Sequence, residues 1–238
     1  DALGNSGRVL KALGRLDDAI EVYDSALAHD PDHRDARFGR AQVHLLQGRF
    51  AEGWADYLAR DSMAARADGF DRDRLAMDLT GAVCRVEQDQ GLGDEIFFLR
   101  FVPALRARGA RVVYRPDPRL AAMLVRANIV DDIIEDETSG GGWDHRIAVG
   151  DLPHVLGAGD QLPPPSIHLE PTPKLALETA ESLAAFGPPP YIGLSWWAGT
   201  RGVDRILYKN APLDRFAEAM RDLSLIHISE PTRPLYIS

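Results

Sequence analysis

A repeat with a period of 34 residues near the N-terminus constrains this chain more than any other feature. When Gly14 is placed on Gly48, further pairs match at the same offset, namely Leu16 with Phe50, Ala19 with Gly53, Tyr23 with Tyr57 and Gly7 with Ala41. Small residues fall on small residues, and tyrosine falls on tyrosine. A period of this length predicts one pair of antiparallel helices per repeat, with the small residues at the closest contact and the tyrosine filling the groove between the helices.

The segments Leu13–Tyr23 and Ala26–Pro31 resemble the tetratricopeptide repeat, whose turn glycine, small helix residue and closing proline all occur here. The second repeat matches less completely because it lacks the closing proline. The resemblance implies about two repeats over residues 1–62, which would offer a surface to a peptide or protein partner. Two amphipathic helical hairpins without repeat ancestry are the alternative.

Two repeats fall short of the roughly three that a free-standing stack needs. We therefore expect either that further repeats precede residue 1 or that the pair packs on the next domain. Trp54, Tyr57 and Arg60 follow the second turn glycine, and we expect them to make that contact. Residues 63–80 are expected to connect the two parts.

From Gly81 onward, short apolar stretches alternate with helical patterns, which predicts a Rossmann-like α/β domain over residues 81–172 with a largely parallel sheet covered on both faces. The expected strands cover residues 82–86, 111–115, 132–135 and 144–149, and the expected helices cover residues 95–108 and 118–127. Ligands of such sheets bind at the carboxyl ends of the strands, where the turn Gly91-Leu-Gly-Asp94 would lie.

Dinucleotide binding is one alternative for this turn, because Gly91 and Gly93 follow a strand and Asp117 lies a little over twenty residues further on. The third glycine of that motif is missing, since position 96 is Ile. The carboxylate of Asp94 would also repel a pyrophosphate docked on the helix N-terminus. The sequence therefore disfavours a dinucleotide.

The segment 87–112, with Gly91-Leu-Gly-Asp94 near its start, resembles the opening of the heptosyltransferase-like glycosyltransferases, in the bacterial group where that domain follows tetratricopeptide repeats. The resemblance covers roughly residues 48–222 and implies a GT-B fold of two Rossmann-like domains. It implies that Gly91 and Gly93 lie on the acceptor side and that Asp94 is the catalytic base. A helix N-cap without any chemistry is the other interpretation of Asp94.

The second half resembles the start of the nucleotide-sugar domain of the same family. Residues 173–190 are expected to form a linker helix, over residues 173–186, and a proline-rich loop. Residues 191–222 are expected to begin the second Rossmann-like domain. The resemblance implies that the donor's phosphates face Ser195, Thr200, Arg201 and Lys209. The sequence departs from the family at Trp197-Ala198 and Lys209-Asn210, where Arg-Gly and Arg-Ser are frequent.

Residues 223–238 contain two prolines and lack an apolar period, unlike the strand and helix that should come next. This tail is similar to the translation of a transposase-type sequencing adapter. We expect it to be foreign to the natural protein, and we expect the chain to be a fragment that is cut short in its second domain.

The formal net charge of −9, without clustered Lys and Arg, disfavours nucleic acid as a partner. The single cysteine, Cys84, lies in an apolar stretch and is expected to be a buried strand thiol. No stretch has the roughly 20 apolar residues of a membrane helix. We expect a cytoplasmic location, no metal and no cofactor, with the nucleotide sugar as a substrate.

Together these resemblances imply a metal-independent GT-B glycosyltransferase that transfers a sugar from a nucleotide-sugar donor to a hydroxyl of a glycan or protein acceptor. The repeats would bind a partner or the acceptor. This fragment is expected to be inactive, because most of the donor domain would lie beyond residue 222. A non-catalytic tetratricopeptide-repeat scaffold is the alternative.

Overall fold

The structure is a computed structural model, and it describes residues 2–61, 69–134, 142–159, 163–191, 197–198, 209–210, 212 and 214–215. Residues 1–171 form one compact unit and residues 172–238 a second. The predicted foreign tail, at residues 223–238, lies outside the described residues. Among those residues, no helix combines the length and the apolar character needed to cross a membrane.

The repeat region forms two helix pairs, as the 34-residue period predicts. Its helices are α1 (Ala2–Ala12), α2 (Leu16–His29), α3 (Arg34–Leu46) and α4 (Phe50–Tyr57). The turn glycines Gly14 and Gly48 separate the members of each pair and have φ angles of 74° and 75°. Glycine adopts this left-handed conformation without the steric cost that other residues incur, which explains why it recurs at both turns.

Tyr23 fills the groove between the helices and is fully buried. A Cβ atom added to Gly7 of α1 or to Gly39 of α3 would lie 2.5 Å from the tyrosine ring. Both helices therefore approach the ring as closely as a residue without a side chain allows. Ala19, Ala26, Ala36 and Val43 complete this small core.

A four-stranded parallel sheet follows the repeats. Its strands are β1 (Val83–Glu87), β2 (Arg111–Arg115), β3 (Asp132–Ile133) and β4 (His145–Ala148). The strand order is β3-β2-β1-β4, and every neighbouring pair is parallel. The alternation of strands and helices therefore predicted the sheet correctly, although β1 starts and ends one residue later than expected.

The helices of this part are α5 (Leu92–Phe98), α6 (Val102–Ala107), α7 (Pro118–Ala127) and α8 (Leu152–Val155). The prediction of one continuous helix over residues 95–108 is wrong, because a 3₁₀ turn at Leu99–Phe101 separates α5 from α6. Pro103 explains the break. A proline has no N–H to donate to the carbonyl four residues earlier, here that of Leu99, and its ring crowds that carbonyl.

The two faces of the sheet differ in chemistry. Cys84 and Val86 of β1 lie in the main apolar core together with Phe98, Val102 and Leu105. Side chains alternate along a strand, so Arg85 and Glu87 lie on the opposite face, where both are buried. Parallel sheets usually bury apolar side chains on both faces, whereas this one buries ion pairs on its second face.

The second unit contains α9 (Pro173–Ala184) and two short strands, β5 (Trp197–Ala198) and β6 (Lys209–Asn210), which pair antiparallel. The predicted linker helix at residues 173–186 is present and ends at Ala184. Thr172 caps it through its side chain, which accepts a hydrogen bond from the Leu175 N–H.

Candidate functional site

The strand order places the candidate site where the order reverses. The chain runs from β1 outward to β2 and β3, and then returns to pair β4 with the other side of β1. In open parallel sheets, ligands bind beyond the carboxyl ends of the two strands at this switch point. The segments that leave these ends are Gln88–Gly91 after β1 and Val149–Asp151 after β4.

The glycine turn lies at this edge and opens α5. Gly91 is the residue that caps the helix, with an extended backbone, and its carbonyl accepts the Glu95 N–H at 3.0 Å. Asp94 is therefore not the N-cap but the third residue of the helix, because the helix starts earlier than predicted. Gly91, Gly93 and Asp94 are all exposed.

Gly93 is not crowded by the residues that the structure describes, and Asp94 beside it is exposed. A Cβ atom added to Gly93 would meet no atom of the described residues within 4 Å, so packing against them does not require glycine there. Within the described ranges, the Asp94 carboxylate has no hydrogen-bond or ion-pair partner. The turn thus presents a carboxylate to solvent beside a backbone without a side chain.

Glu95, the next residue, faces inward and is fully buried. Its Oε1 atom accepts hydrogen bonds from the Tyr114 hydroxyl at 2.7 Å and from the Asp117 N–H at 3.0 Å. Burial raises the pKa of Glu95 above its usual range, although these hydrogen bonds oppose the rise. Glu95 therefore ties the start of α5 to the end of β2 and to the start of α7.

Arg60 fills the crevice at the switch point. Its side chain is 1% exposed, and its Nη2 atom lies 2.5 Å from Oδ2 of Asp89 while Nη1 lies 2.6 Å from Oδ1 of Asp151. Asp89 follows β1 and Asp151 follows β4, so one guanidinium bridges the two strands. A dinucleotide pyrophosphate in this crevice would meet two carboxylates, which agrees with the sequence argument against that ligand.

Tyr57 makes a second link between the repeats and the turn. Its hydroxyl donates a hydrogen bond to Oε1 of Gln90 at 2.9 Å, one residue before Gly91. Burial raises the pKa of Tyr57 to about 12, so the hydroxyl keeps its proton at neutral pH. The Arg60 guanidinium also lies 5.0 Å from the centre of the Tyr57 ring, within cation–π range.

Glu87, the last residue of β1, gathers three arginines on the second face of the sheet. Its carboxylate lies 2.8 Å from Arg85, 2.7 Å from Arg146 and 3.1 Å from Arg115. Burial alone would raise the pKa of Glu87, but the hydrogen bond from Arg146 and the three positive charges lower it overall. Glu87 therefore carries its charge at neutral pH.

The predicted site residues fall into two groups. Gly91, Gly93 and Asp94 share one exposed turn at the expected edge of the sheet. Ser195, Thr200 and Arg201 lie outside the described residues, and Lys209 is described only as the first residue of β6 in the second unit.

Sequence reasoning anticipated the contact made by Trp54, Tyr57 and Arg60, and the structure confirms that all three contact the sheet part. It missed the carboxylates that receive Arg60, namely Asp89 and Asp151. One signal was present: each of these acids follows closely on the carboxyl end of a strand, where side chains of neighbouring parallel strands meet.

Comparison with known proteins supports the helical part of this description. Residues 5–67 match the family described as "Tetratricopeptide repeat". The matched stretch includes most of α1 and all of α2, α3 and α4, so the match supports the interpretation of these helices as tetratricopeptide repeats. Stacked repeats of this kind present extended concave binding surfaces, so the match supports a protein-binding role for this part of the chain.

The chain is also similar to protein FlbA of Caulobacter vibrioides (strain ATCC 19089 / CIP 103742 / CB 15). The two are 26% identical over 245 residues, an alignment that covers 92% of this chain and 39% of FlbA. The chain therefore spans about two fifths of the length of that relative. No solved structure matches the chain.

Proposed function

We propose that the whole protein is a glycosyltransferase whose acceptor binds at the turn Gly91–Asp94. The observation that carries the proposal is the exposed carboxylate of Asp94 beside the open backbone of Gly93, at the carboxyl edge of a parallel sheet. The resemblance of this segment to heptosyltransferase-like enzymes supports the same assignment.

Asp94 acts as the general base in this proposal. A free hydroxyl is a weak nucleophile, and a carboxylate within hydrogen-bond reach takes its proton as the oxygen attacks the anomeric carbon of the donor sugar. The carboxylate has no partner among the described residues, so it remains available to the acceptor. Gly91 and Gly93 leave room for the acceptor to approach the backbone.

The donor side belongs to the second Rossmann-like domain in this proposal. Ser195 and Thr200 would bind the diphosphate through their hydroxyls. Arg201 and Lys209 would offset the negative charge that develops on the leaving group. Residues of these types suit a diphosphate leaving group without a metal.

A protein-binding scaffold is the second candidate function, and the tetratricopeptide match favours it. In the glycosyltransferase proposal, the repeats recruit a partner or the acceptor itself to the neighbouring turn. In the scaffold alternative, they recruit a partner while the sheet serves only as a support. Substitutions at the turn distinguish the two, because only the enzyme requires an open glycine beside Asp94.

We expect Gly93→Ala to impair transfer without harming the fold. The added methyl group meets no atom in the part of the chain that the structure describes, and replacing glycine in a helical turn stabilises by up to about 1 kcal/mol. In the whole protein, the Michaelis constant for the acceptor should rise, while denaturant unfolding stays the same or improves. An unchanged acceptor constant would mean that no acceptor approaches this turn.

A further inference from the structure

Three residues, Gln88, Asp89 and Gln90, connect the end of β1 to the glycine turn. Because this connection is short, contacts that fix its side chains also fix the position of the turn that follows it. The Gln88 N–H donates to the Arg115 carbonyl at 2.9 Å, which continues the β1–β2 pairing. The side chains of Asp89 and Gln90 are held by residues of the repeat region.

Arg60 holds Asp89 with two of its nitrogen atoms. Its Nε donates to Asp89 Oδ2 at 2.6 Å, and its Nη2 lies 2.5 Å from the same oxygen. Its Nη1 reaches Asp151 at 2.6 Å and also donates to the Tyr57 carbonyl at 3.2 Å. A planar guanidinium with donors on several sides is the side chain that suits such a bridge.

The segment after β4 leaves space for the Arg60 guanidinium at Gly150. A Cβ atom added to Gly150 would lie 2.8 Å from Arg60 Nη2 and 2.9 Å from its Cζ. Gly150 is the second residue after β4, so the chain has no side chain at the point where the guanidinium lies. The crevice in which sheets of this kind bind a ligand is thus occupied by a residue from the end of the repeats.

The position of Arg60 is itself set by the second repeat. Arg34, at the start of α3, donates from Nη2 to the carbonyl of Arg60 at 3.0 Å and to the carbonyl of Ala59 at 3.3 Å. Tyr57, on the last turn of α4, bonds Gln90 directly. Contacts therefore run from α3 and α4 to both Asp89 and Gln90.

We infer that Arg60 is a positioning residue for the Gly91–Asp94 turn, so that the repeats form part of the acceptor site in addition to any recruiting role. The inference rests on the proposed function, because the turn is the proposed acceptor site. Arg60 acts through Asp89: it fixes the segment between β1 and α5 and thereby the direction in which Asp94 faces.

The test replaces Arg60 by lysine in the whole protein. Arg60→Lys keeps the positive charge between the carboxylates, but a single ammonium group cannot reproduce the fork that holds both of them. Arg40→Lys is the matched control. Arg40 also bridges two carboxylates, those of Asp24 and Asp56, but it does so inside the repeats.

Hydrogen exchange gives a readout that does not depend on activity. In Arg60→Lys, amides of residues 88–95 should exchange at least about tenfold faster, whereas β2 amides keep their wild-type rates. Arg40→Lys should leave residues 88–95 unchanged. Equal acceleration of residues 88–95 and β2 would mean that Arg60 only stabilises the fold, and unchanged exchange would mean that it does not hold the turn. Either result overturns the inference.

Tyr57→Phe provides a second variant that carries no charge change and so tests the inference even if Arg60→Lys fails to fold. It removes only the hydrogen bond to Gln90, and we expect a smaller, local acceleration in the same segment. Unchanged exchange in Tyr57→Phe would show that the bond from Tyr57 to Gln90 does not hold the turn. If Arg60→Lys also fails to fold, that result would overturn the inference that the repeats position the turn. In transfer assays both variants should lower kcat and leave the donor KM unchanged. If exchange changes but kcat does not, the positioning stands and the proposed function fails.

Discussion

Asp94 differs from its neighbours Asp89, Asp151 and Glu95 at the carboxyl edge of the sheet in being exposed to solvent. Asp89, Asp151 and Glu95 are buried against the groups that bind them. The sequence predicts the position of Asp94 because a glycine turn after a strand is a local pattern. It does not predict the burial of the other three, because their partners lie at least 19 residues away along the chain.

At the residue scale, Cys84 should be chemically inert. It is fully buried, and burial raises the pKa of its thiol to about 11, with a smaller contribution from Asp144. Because the thiolate is the nucleophile, alkylation of the native protein at pH 8 should be very slow. The guanidinium-unfolded protein, with an ordinary thiol pKa of about 8.5, should react rapidly. Mass spectrometry monitors the alkylation, and fast reaction of the native protein at pH 8 would contradict the buried position of Cys84.

At the scale of single elements, the sequence correctly predicted the helices that follow a regular pattern, but it missed one local break in a helix. The 34-residue period fixes the size and spacing of α1 to α4, since each repeat carries its own turn glycine and small residues. The break between α5 and α6 was missed, because the apolar pattern continues through Pro103 while the backbone bonding does not. The linker helix was predicted to within two residues of its end.

The close contact of α1 with Tyr23 makes a prediction at this scale. Gly7→Ala places a methyl group 2.5 Å from the ring, and the resulting overpacking should lower the free energy of unfolding by about 1–3 kcal/mol. Gly93→Ala is the control, because open space surrounds that position. Urea unfolding of both variants checks this. Equal stability of the two would show that α1 does not lie against Tyr23 as described.

At the scale of the whole molecule, the repeats and the sheet are joined by an apolar contact as well as by Arg60. Trp54 of α4 is 6% exposed and lies in the main core, with its ring centre 6.0 Å from that of Phe98 and 6.3 Å from that of Phe101. The sequence indicates the contact, because two repeats alone are too few for a stable stack. The sequence does not predict the strand order or the ion pairs of Arg60, because both depend on contacts between residues that lie far apart in the chain.

This shared core predicts that the repeats and the sheet unfold together. Trp54→Ala should cost about 3–5 kcal/mol, as expected for a buried aromatic residue. Pulsed hydrogen exchange along a denaturant series should give the same unfolding midpoint for α1 to α4 as for β1 and β2. Trp54→Ala should lower this midpoint by the same amount in both parts. Leu13→Ala, at an exposed position, should leave the midpoint unchanged. Separate midpoints in the wild-type protein would show that the two parts fold independently.

The catalytic role of Asp94 is tested most directly by the turnover of Asp94→Asn in the whole protein. Asparagine keeps the shape of the side chain and removes the base, so kcat should fall by about 10²- to 10⁴-fold, with donor affinity and stability nearly unchanged. Asp117→Asn is the control, since Asp117 caps α7 at the same edge of the sheet and should tolerate the change. Near-normal turnover of Asp94→Asn would contradict the proposed function.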